Sequence, residues 1–219
     1  MDKVMDETYY QHVRHDLVQK IPIGSNRVLD VGCAEGATGF LLKQSGRASE
    51  VVGIELISEA ARNAESRLDH VIFGDLEQLP LDEPFISKAS FDYILCGDVL
   101  EHLKDPWLQL KRLSTLLKPN AYIIISLPNV RHYSVVFPLL FRGDWKYLDS
   151  GILDATHLRF FTKKTALLLV EGAGLQPDSI SPVINRRRDR YLNVIAGGIF
   201  EGFFASQWVI AVKKCYRDE

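Results

Sequence analysis

The sequence has few cysteines, no long apolar run and no strong excess of either charge. Its three cysteines, Cys33, Cys96 and Cys215, form no CxxC pair, which argues against a disulfide framework and predicts a reduced, cytoplasmic protein. No apolar run approaches the roughly 20 residues of a transmembrane helix, and the acidic start lacks the pattern of a signal peptide, so we expect no membrane span. The formal net charge of −2 gives phosphate backbones no general attraction, so we expect no nucleic-acid partner.

The composition is typical of one globular domain. In a chain of 219 residues, 47% hydrophobic residues can form a sizeable core, and the 25% charged residues have mixed sign. We therefore predict a single domain over residues 1–219. Short apolar segments alternate with amphipathic ones, which is the pattern of an α/β sheet with right-handed crossovers. The predicted strands lie near 27–31, 50–55, 70–73, 91–96, 121–126, 177–184 and 206–213, and the predicted helices near 7–19, 37–45, 58–68, 106–117 and 163–173.

Two predicted strands enclose a glycine-containing turn and a helix. Residues 28–36 form an apolar strand that runs into the turn, and residues 51–55 form a second strand that ends in Glu55. This βαβ arrangement is typical of nucleoside binding, with the terminal carboxylate beside the ribose diol. In a dinucleotide-binding turn three glycines approach a pyrophosphate, but here Ala34 replaces the middle glycine and Asp30 would repel a phosphate. The turn therefore favours a cationic ligand.

The run Asp30-x-Gly32-x-Ala34-x-Gly36 resembles motif I of the class I S-adenosylmethionine-dependent methyltransferases, whose cofactor carries an ammonium and a sulfonium. Three later segments are similar to further strands and loops of that family, and they occur in the same order. The resemblance implies a Rossmann-like, seven-stranded, mostly parallel α/β sheet with the last strand antiparallel and helices on both faces. It also implies S-adenosylmethionine as cofactor and S-adenosylhomocysteine as product. The three segments are residues 73–76, 91–102 and 118–126.

The resemblance further implies which residues hold the cofactor. Glu55 is expected to bind the ribose, Asp75 the adenine amino group and Asp30 the amino-acid end. Asp30 and Asp75 have a structural alternative, because a short carboxylate also stabilises turns. Asp98 faces the methionine moiety or the acceptor, or it caps the following helix. The predicted cofactor-binding residues are Asp30, Gly32, Cys33, Gly36, Glu55, Leu56, Asp75, Leu76, Gly97 and Asp98.

Two segments, residues 129–161 and 185–204, interrupt the alternation of strands and helices. Because open α/β sheets bind ligands beyond the carboxyl ends of their strands, the first segment is expected to form a roof over the methyl group of the cofactor. Its end, residues 154–162, is similar to a subgroup of bacterial small-molecule methyltransferases. The predicted substrate-binding residues are Asn129, His132, Trp145 and Arg159.

Methyl transfer from a sulfonium is an in-line displacement, so holding the acceptor close with water excluded supplies much of the catalysis. A hydroxyl acceptor must also lose a proton, and an imidazole titrates near neutral pH. We predict His157, in a polar cluster with Asp154 and Arg159, as the proton acceptor, followed by His102 and then His132. The alternative is that each histidine caps a helix or packs. No metal site is expected, because the histidines and acids show no ligand spacing.

Three other features each allow two interpretations. The aromatic residues of the first segment, with two near the N-terminus, form either a lid over the site or ordinary packing. The basic run at residues 186–190 binds a phosphate or carboxylate of the substrate, or it is a solvated loop. The apolar segment 194–204 is either part of the roof or the interface of a possible homodimer. The aromatic residues are Tyr9, Tyr10, Trp145 and Tyr147.

The sequence thus predicts a methyltransferase that acts on a small-molecule or glycan-type acceptor, at oxygen. One alternative is a non-catalytic binding or regulatory protein of the same fold, although such a protein would be expected to have a degenerate cofactor turn. The other is a nicotinamide-dependent oxidoreductase, which would share Glu55. Asp30 and the missing middle glycine argue against it.

Overall fold

The computed structural model describes residues 13–82 and 84–214. Its seven strands form one sheet in the order β3-β2-β1-β4-β5-β7-β6. Strand β7 is antiparallel to both of its neighbours, and the remaining pairs are parallel. This confirms the predicted α/β sheet. The strands are β1 (Arg27–Val31), β2 (Glu50–Glu55), β3 (His70–Phe73), β4 (Phe91–Gly97), β5 (Leu117–Pro128), β6 (Leu175–Val183) and β7 (Gln207–Lys214).

Eight helices accompany the sheet within the described ranges, together with a 3₁₀ turn at Leu100–His102. The helices expected near 37–45, 58–68, 106–117 and 163–173 are confirmed, and of the one expected at 7–19 only its last part lies within the described residues. The helices are α1 (His15–Val18), α2 (Ala37–Gln44), α3 (Ser58–Ala64), α4 (Pro106–Ser114), α5 (Tyr133–Arg142), α6 (Lys163–Gly172), α7 (Arg187–Ile195) and α8 (Glu201–Phe204).

Several predicted boundaries were wrong. Helix α3 ends at Ala64 rather than at 68, and α4 ends at Ser114 because β5 already begins at Leu117. The register of β5 against β4 shifts after Leu117, and Asn120 within the shift has φ +62. Residues 118–120, whose proline and asparagine are typical of a turn, are therefore an irregular part of the strand.

The sheet is buried on both faces because helices cover it. Adjacent residues of β1, Val28 and Leu29, belong to two different hydrophobic clusters, as expected when side chains alternate across a strand. Cys33 and Cys96 are buried free thiols, and Cys215 lies outside the described residues. In the ranges 13–82 and 84–214 no helix has both the length and the apolar character of a bilayer span.

The order of the strands places a crevice at the carboxyl end of β1. The chain runs outward from β1 through β2 to β3 and then returns to β4 on the other side of β1. Val31, the last residue of β1, is level with Ile54 of β2 and with Cys96 of β4. Open α/β sheets bind their ligands at such a reversal of strand order.

The two interrupting segments pack against each other beside this edge. The first contains α5, and the second contains α7 and α8. The buried carboxylate of Asp189 accepts a hydrogen bond of 3.0 Å from the Tyr133 hydroxyl and joins the two segments. The basic run starts α7 rather than forming a loop, and its arginines are exposed around this one buried acid.

Candidate active site

The turn after β1 has a backbone that suits small residues. Gly32, Ala34 and Gly36 have φ values of +69, +49 and +78. A Cβ on Gly32 would lie 2.6 Å from Cγ2 of Val99, so no larger residue fits there without movement. Ala34, which replaces the expected middle glycine, has a left-handed conformation, and this conformation is costly for a residue with a Cβ.

Asp30 is a buried acid whose charge is not balanced in the structure. Its Oδ2 atom has no hydrogen-bond partner among the described residues. Burial, and then the nearby charge of Glu55, raises the pKa of Asp30 from 3.8 to about 7. An ammonium group bound here would pair with the carboxylate. The site therefore fits the cationic amino-acid end of S-adenosylmethionine.

Glu55, at the end of β2, holds the turn itself. Its Oε2 accepts a hydrogen bond of 2.8 Å from the backbone N–H of Ala34, and its Oε1 accepts one of 2.8 Å from Ile57. The sequence suggested few structural reasons for this carboxylate, but the structure shows one. Each oxygen can accept a further hydrogen bond, so a ribose diol remains compatible with Glu55. The side chain of Leu56 beside it is exposed.

The loop after β3 contains the predicted adenine contacts. Asp75 accepts hydrogen bonds from the backbone of Glu77 at 2.9 Å and from the side chain of Gln78 at 3.0 Å. These are the bonds of a turn, which was the structural alternative for Asp75. Leu76 is buried next to it. Contact of either residue with adenine stays a prediction.

Asp98, after β4, is bonded within the protein and does not cap the following turn. Its carboxylate is paired with Arg14 and accepts hydrogen bonds from Ser126 Oγ at 3.0 Å and Gln207 Nε2 at 2.8 Å. The Arg14 guanidinium is also paired with Asp16 at 2.8 Å. These bonds attach the start of α1 to the ends of β4, β5 and β7. Sequence reasoning missed Arg14, because its partners are distant in the chain.

Gly97 precedes Asp98 and lies against α1. A Cβ on Gly97 would be 2.7 Å from Cδ1 of Leu17. The close approach of α1 therefore explains this glycine. Its contact with the cofactor stays a prediction.

Next to Asp98 is a cavity of about 450 Å³. Its lining includes one acid and two histidines, buried Glu101, partly buried His102 and buried His157. The two imidazole rings meet edge to face with centroids 4.7 Å apart. The two leading candidates for the proton acceptor, predicted from distant parts of the sequence, therefore lie side by side.

Backbone hydrogen bonds bring these residues together. The carbonyl oxygen of Glu101 accepts hydrogen bonds from the N–H groups of Leu158 at 2.8 Å and Arg159 at 2.9 Å. Nδ1 of His157 is 3.1 Å from the carbonyl oxygen of Ile152. Nδ1 of His102 is 3.3 Å from that of Thr156. Nδ1 of His157 is thus bonded to the backbone, and Nδ1 of His102 is in contact with both this carbonyl oxygen and the Thr156 hydroxyl oxygen, which is 3.2 Å away. Among the described residues Nε2 of neither ring has a hydrogen-bond partner.

Burial shifts the pKa values of Glu101 and His102. It raises the pKa of Glu101 well above the ordinary value of 4.5, and the neighbouring Asp98 raises it further. The pKa of His102 is lowered, first by burial and then by His157. Both carboxylate oxygens of Glu101 are buried without a hydrogen-bond partner among the residues described. The cavity therefore contains polar groups that a ligand can satisfy.

Of the predicted substrate residues, two have structural roles. Asn129 is buried and donates hydrogen bonds to the carbonyl oxygens of Gly202 and Ala205, at 2.9 and 2.7 Å, while its Oδ1 accepts one from Arg131. His132 caps α5 by accepting a hydrogen bond from the backbone of Ser134, and burial lowers its pKa. A substrate role for either residue has no support in these contacts.

The other two do not line this cavity. Arg159 is exposed and donates to the carbonyl oxygen of Lys104, so it does not join His157 in one polar cluster as expected. Trp145 packs edge-on against Phe160 with ring centroids 5.3 Å apart, and Tyr147 packs against the same ring at 6.4 Å. Packing therefore accounts for both aromatic residues. Tyr9 and Tyr10 lie outside the described residues.

Comparison with known proteins agrees with this geometry. A family model described as a methyltransferase domain matches residues 5–180. Ubiquinone biosynthesis O-methyltransferases from Albidiferax ferrireducens and Ralstonia nicotianae are 30% and 31% identical to the chain over 171 and 170 residues. These matches cover 71% and 75% of this chain. They cover 65% and 69% of the relatives, so the chain spans slightly less than two thirds of the first.

Solved structures share the fold at lower identity. An S-adenosylmethionine-dependent methyltransferase from Archaeoglobus fulgidus superposes with a TM-score of 0.66 at 20% identity, covering 91% of both chains. A [4+2]-cyclase, SpnF, superposes with a TM-score of 0.64 at 18% identity, covering 92% of this chain and 80% of its own. The fold alone therefore does not determine the reaction. Because the family model matches most of the sequence, the chain belongs to the class I S-adenosylmethionine-dependent methyltransferases.

Proposed function

We propose that this protein transfers the methyl group of S-adenosylmethionine to a hydroxyl oxygen of a small molecule. The observation that carries the proposal is the pair of adjacent histidines, buried His157 and partly buried His102, in a cavity beside the carboxyl ends of β4 and β5. The relatives that are named O-methyltransferases support oxygen as the acceptor atom. Family membership argues against the nicotinamide-dependent alternative.

The cofactor is proposed to lie across the turn after β1. The ammonium group pairs with Asp30, whose Oδ2 is otherwise without a partner among the described residues. The ribose hydroxyls donate to Glu55, and the adenine lies beside the exposed Leu56 and the loop of Asp75 and Leu76. In this arrangement Asp30 and Glu55, the acids of the first two strands, would both hold the cofactor, which would supply the methyl group.

The acceptor occupies the cavity of about 450 Å³, with its hydroxyl at the histidine pair. The hydroxyl oxygen attacks the methyl carbon, the bond from that carbon to sulfur breaks, and S-adenosylhomocysteine leaves. The hydroxyl proton passes to Nε2 of His157. Because Nδ1 of this ring is held by the carbonyl oxygen of Ile152, the proton on Nδ1 leaves a lone pair on Nε2 for this step.

An acceptor screen tests this function. The full-length chain is incubated with S-adenosylmethionine and a panel of phenols, catechols, aliphatic alcohols, sugars and amines, and release of S-adenosylhomocysteine is measured. We expect turnover with a hydroxyl compound and a product methylated at oxygen. Methylation at nitrogen or carbon would contradict the proposal. Cofactor binding without release of S-adenosylhomocysteine for any acceptor would favour the non-catalytic alternative.

Variants of two histidines separate catalysis from folding. His157→Asn is expected to lower kcat at least about tenfold and to leave the Kd of S-adenosylmethionine unchanged, because the ring acts on the acceptor. His70→Asn is the matched control, since this ring stacks on Phe85 with centroids 3.7 Å apart and does not line the cavity. Full activity of His157→Asn would show that the proton acceptor is assigned incorrectly.

A further inference from the structure

We infer that Glu101, His102 and His157 form a binding site for one divalent transition-metal ion. One potential ligand atom from each residue lies within 4.8 Å of the other two. The spacing of these residues does not indicate such a site, because Glu101 and His102 are adjacent on a 3₁₀ turn and His157 lies in the distant segment at 129–161.

The first argument is the carboxylate of Glu101. The residue is completely buried, and neither carboxylate oxygen has a hydrogen-bond partner among residues 13–82 and 84–214. Burial of an unpaired carboxylate is costly, so such groups in folded proteins take up a proton, are paired or coordinate metal ions. Arg14 is bonded to Asp98 and Asp16 instead of to Glu101. A cation in the cavity would therefore satisfy a group that the described part of the protein leaves unpaired.

The second argument is the orientation of the imidazoles. Nδ1 of His157 and Nδ1 of His102 lie 3.1 and 3.3 Å from backbone carbonyl oxygens. In metal sites the ligating histidine almost always donates its other ring N–H to a carbonyl or carboxylate, which fixes the ring and its tautomer. His157 has this support, and His102 has it together with the Thr156 hydroxyl, whose oxygen lies 3.2 Å from Nδ1. Nε2 of each ring remains available as a ligand.

The ligand set indicates the kind of ion. Two imidazoles and one carboxylate suit Zn²⁺, Fe²⁺ or Mn²⁺, whereas Ca²⁺ and Mg²⁺ prefer oxygen ligands. Metal–ligand distances of about 2.1 Å would place the donors about 3.4 Å apart in a tetrahedral site. The donors, which now lie within 4.8 Å of one another, would have to move closer by up to about 1.4 Å. Three protein ligands leave at least one open position, as is usual in catalytic rather than structural sites.

The role of the ion, unlike its binding, rests on the proposed function. The acceptor hydroxyl would occupy the open position, and the positive charge would lower its pKa so that the proton leaves to solvent water. Nε2 of His157 takes the proton only in the ion-free site, as in the proposed function; with the ion bound, the same atom would be a ligand. Methyl transfer would therefore decrease after treatment with a chelator and recover with added metal.

Metal titration tests the site without any acceptor. The full-length, tag-free chain is treated with a chelator, dialysed and titrated with Zn²⁺ in a calorimeter. We expect one equivalent to bind, and we expect Glu101→Gln and His157→Asn each to weaken binding at least about tenfold. Glu101→Gln preserves the size of the side chain. His70→Asn, the matched control, should bind Zn²⁺ as the unaltered chain does.

A second titration uses Co²⁺ as a spectroscopic probe and does not depend on the variants. Co²⁺ bound to nitrogen and oxygen ligands in a low-coordinate site should give strong visible absorption bands in the unaltered chain. Absence of both a Zn²⁺ signal and these bands would overturn the inference. Zn²⁺ binding that stays unchanged in Glu101→Gln and His157→Asn would also overturn it.

Two controls separate this inference from the proposed function. Binding of S-adenosylmethionine to the metal-free chain shows that the cofactor site is intact. If the ion binds as expected and no hydroxyl compound is methylated, the metal site stands and the proposed function fails. If methyl transfer to oxygen proceeds unchanged in excess chelator and no ion binds, the proposed function stands and the metal site fails.

Discussion

Ala34 occupies a position where the backbone favours glycine. Its φ of +49 lies in the left-handed region, which costs a residue with a Cβ roughly 1–2 kcal/mol. Glycine would remove that cost but would also increase the entropy of the unfolded chain. We expect Ala34→Gly to raise the free energy of unfolding by up to about 1 kcal/mol, measured by urea denaturation.

Ala61 provides the contrasting control for this substitution. It is buried within α3, where glycine is unfavourable by about 1 kcal/mol relative to alanine. Ala61→Gly should therefore destabilise the protein while Ala34→Gly stabilises it. Destabilisation by both substitutions would show that the methyl group of Ala34 contributes packing that outweighs its backbone cost.

The pKa of Asp30 makes stability depend on pH. Burial raises it from 3.8 to about 7, so folding takes up a proton between these values and stability falls as the pH rises through them. Asp30→Asn removes this dependence. Relative to the unaltered chain, the variant should gain up to about 4 kcal/mol in its free energy of unfolding between pH 4 and pH 8.

Urea denaturation of both proteins across this pH range measures the difference. If the difference in free energy of unfolding between Asp30→Asn and the unaltered chain stayed constant with pH, Asp30 would not take up a proton on folding. Bound S-adenosylmethionine should reduce the effect, because its ammonium group favours the ionised carboxylate.

The residues that cap the starts of the helices could be predicted only in part from the sequence. The Asp105-Pro106 pair is typical of a helix start, and Asp105 does cap α4: its Oδ1 accepts a hydrogen bond of 2.9 Å from the backbone of Leu108, and Pro106 occupies the first turn. Serine is also a typical capping residue, and Ser58 precedes a helix-favouring segment, but the capping position of α3 is Ile57 and its side chain makes no capping hydrogen bond. The sequence could not distinguish a cap from a first helical residue.

These two helix starts give a paired prediction. Asp105→Ala should lower the free energy of unfolding by about 1 kcal/mol, because a backbone N–H loses its partner. Ser58→Ala should change it by less than about 0.5 kcal/mol, since the exposed hydroxyl caps nothing. Equal losses in thermal or urea denaturation would contradict the assigned caps.

The strands were the most predictable elements. β1, β2 and β4 are buried on both faces, so each appears in the sequence as a short, continuous apolar segment. The start of β5 was missed because Lys118 and Asn120 interrupt its pattern where the register shifts. Local composition therefore predicts regular strands well and irregular ones poorly.

At the scale of the whole molecule, the cofactor edge and the cavity differ in how well the sequence could predict them. The cofactor edge depends on residues at the ends of consecutive strands, such as Asp30 and Glu55, so a spacing rule finds them. The cavity depends on contacts between distant segments, which bring Arg14, Glu101 and His157 together through backbone bonds and one ion pair. No periodicity in the sequence reports those contacts.

One residue pair on β2 tests whether the cofactor lies across the ends of β1 and β2. Glu55 and Glu50 are acids at opposite ends of the same strand, and Glu50 is paired with Arg27 at 2.9 Å, far from the turn. The measurement is calorimetric titration of S-adenosylmethionine into the full-length chain and into Glu55→Ala and Glu50→Ala, each first shown to be folded by thermal denaturation. We expect saturable binding to the unaltered chain and to Glu50→Ala, and binding at least about tenfold weaker to Glu55→Ala. Equal affinity of Glu55→Ala and the unaltered chain would contradict the proposed cofactor site.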